Sequence, residues 1–586
     1  LKSSNHFALL NIIAGALQGV MDLATDRASV VGSLDRVGVL HGSLSIDDQS
    51  HDRKFNYSDV SLSLDKGASG MLFSLGATGP SGRWTADAFA NGSPGKQREF
   101  RATIRDLSID EISLIGGFRL SGFDTDAPLS VDMNFTLAPN NSLLNAGGRL
   151  EVGKGYFRLD EPDHEPVMIQ HIELGLRWDN DQKKLQLSPI DFKAGGFDMA
   201  MSGFAQPPPE TSGDKVLSDD SWRISLNLSK PSKVYPERST EEVVEVNEGR
   251  LDARLNYGQG KILFDKFAFS GPDIHARLTG YLDFKEKFRI VYHLDADNTR
   301  IKSIARLWPT HVTPPVRVWF VEHVTSGIIK HARLSGDFDA AAITAMRYER
   351  PPPDESVQAD GEIIDAVVEN VIPGLAPISA INGVLHVTGR TASFKARSGI
   401  FETSSGRQLS LSEGQFAIAD NAIKPPPATL DIRLSGDVEA VADILNVPTI
   451  KDYASLPVEA SNLKGRLDGK FHLDFEVGDL ARDENTKFSV DATTTDLSVE
   501  HLIGKEKLEA AALHVVANPN GLRVDGSGKI YGAPITMDLQ RAFGDKGVAQ
   551  AQVNFIFDEA ARQRAGFRSE EHTSELQSRE TISYAV

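Results

Sequence analysis

Cysteine is absent from the 586 residues. That excludes disulfides, thiolate metal sites, iron–sulfur clusters and a thiol nucleophile together. Long apolar runs are missing too: none approaches the ~18 residues that a transmembrane helix requires. Positive charge is in deficit, with 62 Lys and Arg against 81 Asp and Glu and a net charge of −19. A general nucleic-acid binder needs a basic footprint, and adhesion to anionic headgroups needs the same, so neither is expected. No Gly-x-Ser-x-Gly elbow and no His-Glu-x-x-His pair occurs, and the chain reads as non-enzymatic. What is present is ordinary globular composition, 40% hydrophobic with 50 glycines, neither disordered nor collagenous. Length alone suggests roughly four domains at ~150 residues each.

The dominant pattern is period two. Leu129, Val131, Met133, Phe135 and Leu137 alternate with Ser130, Asp132, Asn134 and Thr136. Trp222, Ile224, Leu226 and Leu228 alternate with Arg223, Ser225 and Asn227. Phe471, Leu473, Phe475 and Val477 alternate with His472, Asp474 and Glu476, and the runs Val60–Leu64, Ile172–Trp178 and Phe288–Leu294 behave alike. Successive strand side chains face opposite ways, so each run has one apolar and one wet face. Gly, Asn and Asp punctuate the runs closely, as meandering antiparallel strands require. The continuous apolar runs of a buried parallel sheet are missing.

Helical signals are few. Residues 1–30 hold the clearest, Phe7–Leu23, with Leu10, Ile13, Leu17, Val20 and Met21 on one stripe. Its polar face carries no Lys or Arg, which favours a cap on the β-structure over a membrane-surface helix. Shorter candidates are Asn298–Leu307, Val316–His323, Val438–Leu445 and Asp558–Arg564. Three proline triplets, Pro207–Pro209, Pro351–Pro353 and Pro425–Pro427, mark strand ends or loops, because proline lacks the ladder N–H. Gly249–Ala253 echoes Gly465–Gly469, and Ser335–Ala340 echoes Ser435–Ala440. The spacing is too irregular for a strict solenoid, but the echoes point to one unit repeated with variation.

Clusters of polar chemistry are weak. Asp163-His164-Glu165 stands between prolines and reads as a solvated turn, as does His51-Asp52-Arg53. Asp47-Asp48 and Asp219-Asp220 lack the spacing of a calcium loop. Gly526-Ser527-Gly528-Lys529 lacks the rest of a phosphate loop and reads as a turn between strands. No metal or cofactor is expected. At the far end, Arg568–Ser578 is what a common sequencing adapter spells when translated, and Ile582–Val586 matches its continuation. Residues 568–586 are therefore read as adapter read-through outside the fold. A chain of this kind is expected to be an open-ended fragment, in which a missing membrane anchor carries no meaning.

Many strands thus carry an apolar face and too few helices exist to cover them. Wet apolar surface costs about 25 cal/mol per Å². Sheets resolve this by packing on another sheet, by closing, or by binding something greasy. Alternation alone leaves stacked β-sandwiches and a lipid-holding trough both open.

The stretch Leu307–Phe338 resembles a signature of AsmA-like proteins, in the YhdP branch: a Trp-Pro, a short helix bearing a Trp, then a Gly opening a strand that ends in Leu-x-Gly. Here these are Trp308, Pro309, Trp319, Gly327, Leu334 and Gly336. Ile372–Leu385 is similar to the family's Pro-Gly-Leu-Pro-Pro-Ile segment, Phe557–Gly566 to a short helix of its C-terminal part, and Val39–Asp47 to an early strand and acidic turn.

The resemblance implies a mainly β fold, a long curled antiparallel sheet forming a taco-like groove over residues 31–567, with the Trp-Pro segment at 298–340. It implies an anchor in the bacterial inner membrane, a periplasmic body and phospholipid carried toward the outer membrane, with envelope proteins as further partners. Candidate groove-lining residues are Leu129, Val131, Met133, Phe135, Ile224, Leu226, Phe471, Leu473 and Phe475. Trp308 and Trp319 are expected as core anchors. An outer-membrane assembly factor of the same architecture is the alternative, and a sandwich-built surface adhesin is another, although calcium-binding and Thr/Asn-rich repeats are not found. A β-helical polysaccharide-active enzyme would need regular rungs and a carboxylate cluster, which are missing.

Overall fold

A computed structural model describes residues 34–585 with interruptions at 49–52, 69, 93–95, 110, 112–122, 141, 160–165, 209–219, 236–242, 285–287, 308–313, 349, 372–373, 449, 451–458, 478–485, 504–505, 544–548, 557 and 565–579. The candidate helix Phe7–Leu23 and the Asp163–Glu165 turn lie outside the described residues, as do His51 and Asp52. The protein is mainly β, an antiparallel sheet with a few short helices, as the alternation predicts. The chain divides into two compact units, Leu1–Glu286 and Lys287–Val586.

In the first unit the strands run as a meander from Arg36–Asp48 and Arg53–Gly67 to Lys261–Ser270 and His275–Asp283. Each long strand pairs antiparallel with the next. Two short side ladders, Phe123–Thr125 with Gly155–Leu159 and Ser232–Val234 with Val244–Val246, extend one end of the strands.

The second unit repeats the plan from Arg289–Arg300 to Ala549–Phe555. Its helices are α1 (Ile301–Leu307), α2 (Pro314–His323), α3 (Ala340–Arg347), α4 (Val438–Leu445) and α5 (Glu559–Arg564). Four of these fall where the sequence places helices. The exception is α3, capped by Asp339, whose side chain accepts from the Ala342 N–H at 2.8 Å. The Ser335–Ala340 and Ser435–Ala440 echo marks a shared junction, since each ends a strand and opens a helix, α3 or α4. Glu580–Ala585 pairs with the Ala549–Phe555 edge, although its sequence reads as adapter. An edge recruits a strand through main-chain groups and is indifferent to side chains.

Strict alternation is broken at bulges, and the breaks align on neighbouring strands. Asp365 (φ 52°) and Ala380 (φ 50°) accompany register shifts on adjacent strands. Gly465 (φ 134°) and Asp496 (φ 51°) do the same further along. A bulge inserts one residue and bends its strand. It also resets parity, so Ile363 and Ala366, three apart, are both buried on one face.

One expectation fails here. Gly526–Lys529 forms no turn; it lies inside the strand Gly521–Ile530. Gly526 has φ 154° and a Cβ there would meet the Ala512 carbonyl oxygen at 2.2 Å, so the glycine serves a close strand approach.

Candidate functional site

The apolar faces of the strands join into continuous rows. In the first unit one row takes a single residue from each successive long strand. It begins Val37, Leu64, Phe73, Ala88, Ala102 and Met133. It continues through Gly148, Leu176, Leu187, Gly203, Leu226, Leu251, Phe267 and Leu278. No polar side chain interrupts it. A second row beside it runs from Val39 and Leu62 through Ile104, Val131, Leu150 and Leu174 to Met201 and Leu228.

Burial separates the first row from an ordinary core. From Leu64 to Leu278 every member of the first row is only half-buried. Full burial occurs toward the strand ends. At one end Met71, Ala90, Phe100, Phe135, Leu137, Leu143 and Trp178 cluster. At the other, Phe55, Tyr57, Ala77, Trp84 and Leu107 cluster. There Tyr57 meets Trp84 edge-on at 6.3 Å, and burial together with the nearby Glu111 carboxylate pushes its phenol pKa up. The result is a half-open apolar strip with packed margins, called the furrow below.

The second unit has a similar furrow with a different margin. One row runs Ala332, Gly361, Leu385, Phe394, Phe416, Leu430, Leu473 and Phe488, all half-buried. The next runs Ile329, Ile363, Gly383, Ala396, Gly414, Ile432, Phe471, Val490 and Ala517. Beyond it, toward α4, Leu409 (1% exposed), Leu434, Leu467, Ala492 and Leu513 are buried. Helices α1, α4 and α5 follow strands that finish at this end, and α2 precedes one that starts there. The opposite end carries the hairpins 388–391, 418–427 and 518–521, and the strand-to-helix junction of α3. Helix α4 is held down by Asp443, which accepts from Arg407 Nη1 at 2.8 Å and Thr403 Oγ1 at 3.0 Å, and also from Ser405.

The other sheet face is wet and carries cross-strand ion pairs. Arg433 forks onto Asp468 and Arg254 onto Asp265. Cross-strand histidine–aspartate pairs recur: His331 with Asp297, His386 with Asp360 and His472 with Asp431, each at 2.7 Å. Asp47 is exposed. Among the described residues no group of His, Asp and Glu could hold a metal ion, and no helix is long and apolar enough to cross a membrane.

The sequence-predicted lining residues divide in two. Leu129, Met133, Ile224, Leu226, Phe471, Leu473 and Phe475 are half-buried on the furrow face. Val131 (8% exposed) and Phe135 (3%) are buried, Phe135 within the packed margin. Leu334 lies in a furrow row between Leu294 and Ala359. Gly327 adopts φ 139°, where a Cβ would press on Ala366 at 2.9 Å. Gly336 lies beneath Tyr292, whose Cε1 would be 2.5 Å from an added Cβ. Trp308 and Pro309 lie outside the described residues. Trp319 corrects the core-anchor expectation: it is 43% exposed on α2 and leans on His323 at 5.0 Å. Its neighbours Phe320 and Val324 turn to the core instead.

No family model, curated protein or solved structure matches the chain. The furrow therefore stands on its own geometry. Sequence alternation marks row members on the strands holding Leu64, Met133, Leu176, Leu226 and Leu473, and leaves Phe73, Leu187, Leu251, Phe267 and Leu278 unmarked. It missed the small members, Ala88, Ala102, Gly148 and Gly203, which carry little hydropathy and show their place only through register.

Proposed function

We propose that the protein binds phospholipid acyl chains in the furrow and conducts them along it, as a non-enzymatic periplasmic protein tied to the bacterial inner membrane. The observation that carries this reading is the unbroken apolar row from Val37 to Leu278, kept half-open across the whole first unit. A sandwich would bury those positions under a second sheet. Burying an acyl methylene is worth about 0.8 kcal/mol, so a dozen in water cost about 10 kcal/mol. Register-matched rows offer successive lipid positions equal apolar contact and so remove most of that barrier. Such a surface supplies a path and no direction; the driving force comes from elsewhere. The resemblance to AsmA-like proteins supports the location and the lipid cargo.

Met133 and Asn134 provide the test, because they are adjacent and face opposite ways. A photocrosslinker at Met133 is expected to capture phospholipid in lipid-loaded protein, and one at Asn134 to remain unlabelled. Equal labelling at both positions, or none at either with no lipid seen by native mass spectrometry, overturns the reading.

A further inference from the structure

We infer that phospholipid in the Lys287–Val586 unit lies with its acyl chains parallel to the strands, their methyl ends toward α4 and the headgroup at the opposite, hairpin end. This orientation rests on the conducting reading above and adds a direction across the furrow.

The basis is a burial gradient along the strands from Leu463 to Ala542; on Gln408–Ile418 and Pro427–Asp437 the hairpin end is also packed, at Ile418 and Ala428. On Leu463–Glu476, Leu463 and Leu467 are buried, whereas Phe471, Leu473 and Phe475 are half-buried. On Lys487–Ile503, Ala492, Thr494 and Leu497 are buried while Phe488 and Val490 are half-buried. The strands Glu506–Asn518 and Ala533–Ala542 are graded in the same sense. The α4 end is therefore already filled: Ala440 and Ala442 pack there at 0% and 1% exposure, and Asp443 fastens the helix to the 403–407 turn. Packed side chains occupy that end.

The hairpin end has the opposite chemistry. Arg390, exposed, pairs there with the half-buried Asp420, and the hairpins 388–391 and 518–521 are polar turns. A charged or zwitterionic headgroup stays hydrated at this end and would lose its hydration at the other. The dimensions agree. From Phe475 to Phe471 the strand advances four residues, about 14 Å at ~3.4 Å per residue. One leaflet of a bilayer offers about 15 Å of hydrocarbon, half of the ~30 Å core. The half-open strip thus matches the depth that an acyl chain occupies in a membrane.

The cysteine-free chain allows a clean test. Ala392 lies in the outermost row, reached from Phe475 through Ala428 and Ile418, and Ala396 lies in the row of Phe471. Single Ala392→Cys and Ala396→Cys proteins, each carrying bimane, are loaded with phosphatidylcholine bearing a doxyl quencher at carbon 5 or carbon 16. Both substitutions are small, and Met133→Cys serves as a reference in the other unit. The label at Ala392 is expected to be quenched at least twofold more by the carbon-5 probe, and the label at Ala396 at least twofold more by the carbon-16 probe. Equal ratios or the reverse order overturn the orientation. Quenching at Met133 with none at either alanine also overturns it, while leaving lipid binding intact. No quenching at any of the three positions defeats the conducting reading itself.

Discussion

Phe100 and Phe135 are direct cross-strand partners whose rings stack at 4.8 Å, 16° from parallel. Their contact closes one margin of the first unit's furrow, two residues from the half-open Met133 on the same strand. Position on a face and position within the packing are therefore separate facts. Phe135→Ala is expected to cost about 3–5 kcal/mol, the usual cost of emptying an aromatic site in a core. Met133→Ala is expected to cost about 1 kcal/mol, near the centre of the general distribution. Urea unfolding of the two variants measures both. Equal losses would place Met133 in a closed core and contradict the half-open row.

The Asp443 attachment of α4 gives a second prediction. Burial raises the Asp443 pKa, but hydrogen bonds from Ser405, Arg407 and Thr403 outweigh it and hold the carboxyl below the usual range. Stability from a depressed carboxylate is present above its unfolded pKa and is lost as pH falls through the lower folded value. Asp443→Ala is expected to cost about 1.5–3 kcal/mol, the worth of hydrogen bonds to a charged group. Amide exchange read by mass spectrometry should quicken across Val438–Leu445 and leave the first unit unchanged. Unaltered protection of α4 would show that apolar packing alone secures it.

His472 yields a third. Its Nδ1 lies 2.7 Å from Asp431 and its Nε2 3.2 Å from Asp474. A neutral imidazole donates from one nitrogen only, so this geometry favours the doubly protonated ring. The hydrogen bond to Asp431 leads in raising the His472 pKa, with that to Asp474 adding to it and burial opposing. The contribution is full below the unfolded value near ~6.5 and is lost as pH rises through the higher folded one. NMR titration should place His472 above the ordinary histidine range in the intact protein and return it toward that range in Asp431→Asn. An identical titration in both proteins would refute the pairing.

Much of this architecture is legible in the residues. Runs such as Trp222–Leu228 alternate cleanly because one face meets water along their whole length, and the strand observed there has those bounds. Helix α4 announces itself through Val438, Val441, Ala442 and Leu445 on one stripe. Helix α3 escapes because its alanine-rich turns lack strong periodicity, although Asp339 is a recognisable cap. Bulges at Asp365 and Ala380 are hidden as well, since a parity reset looks like a lapse of pattern. The difference between Phe135 and Met133 is not written locally at all. It depends on Phe100, Leu143 and Trp178, which come from other strands.

The rows also fix what kind of length the protein controls. Because each row takes one residue per strand, the furrow's span grows with the number of strands, about 4.8 Å for each. Strand length sets only its width. Duplicating or deleting a hairpin would therefore change reach in steps of roughly 10 Å while the cross-section stays the same. The furrow is in that sense a ruler, adjustable in reach without redesign of what it holds.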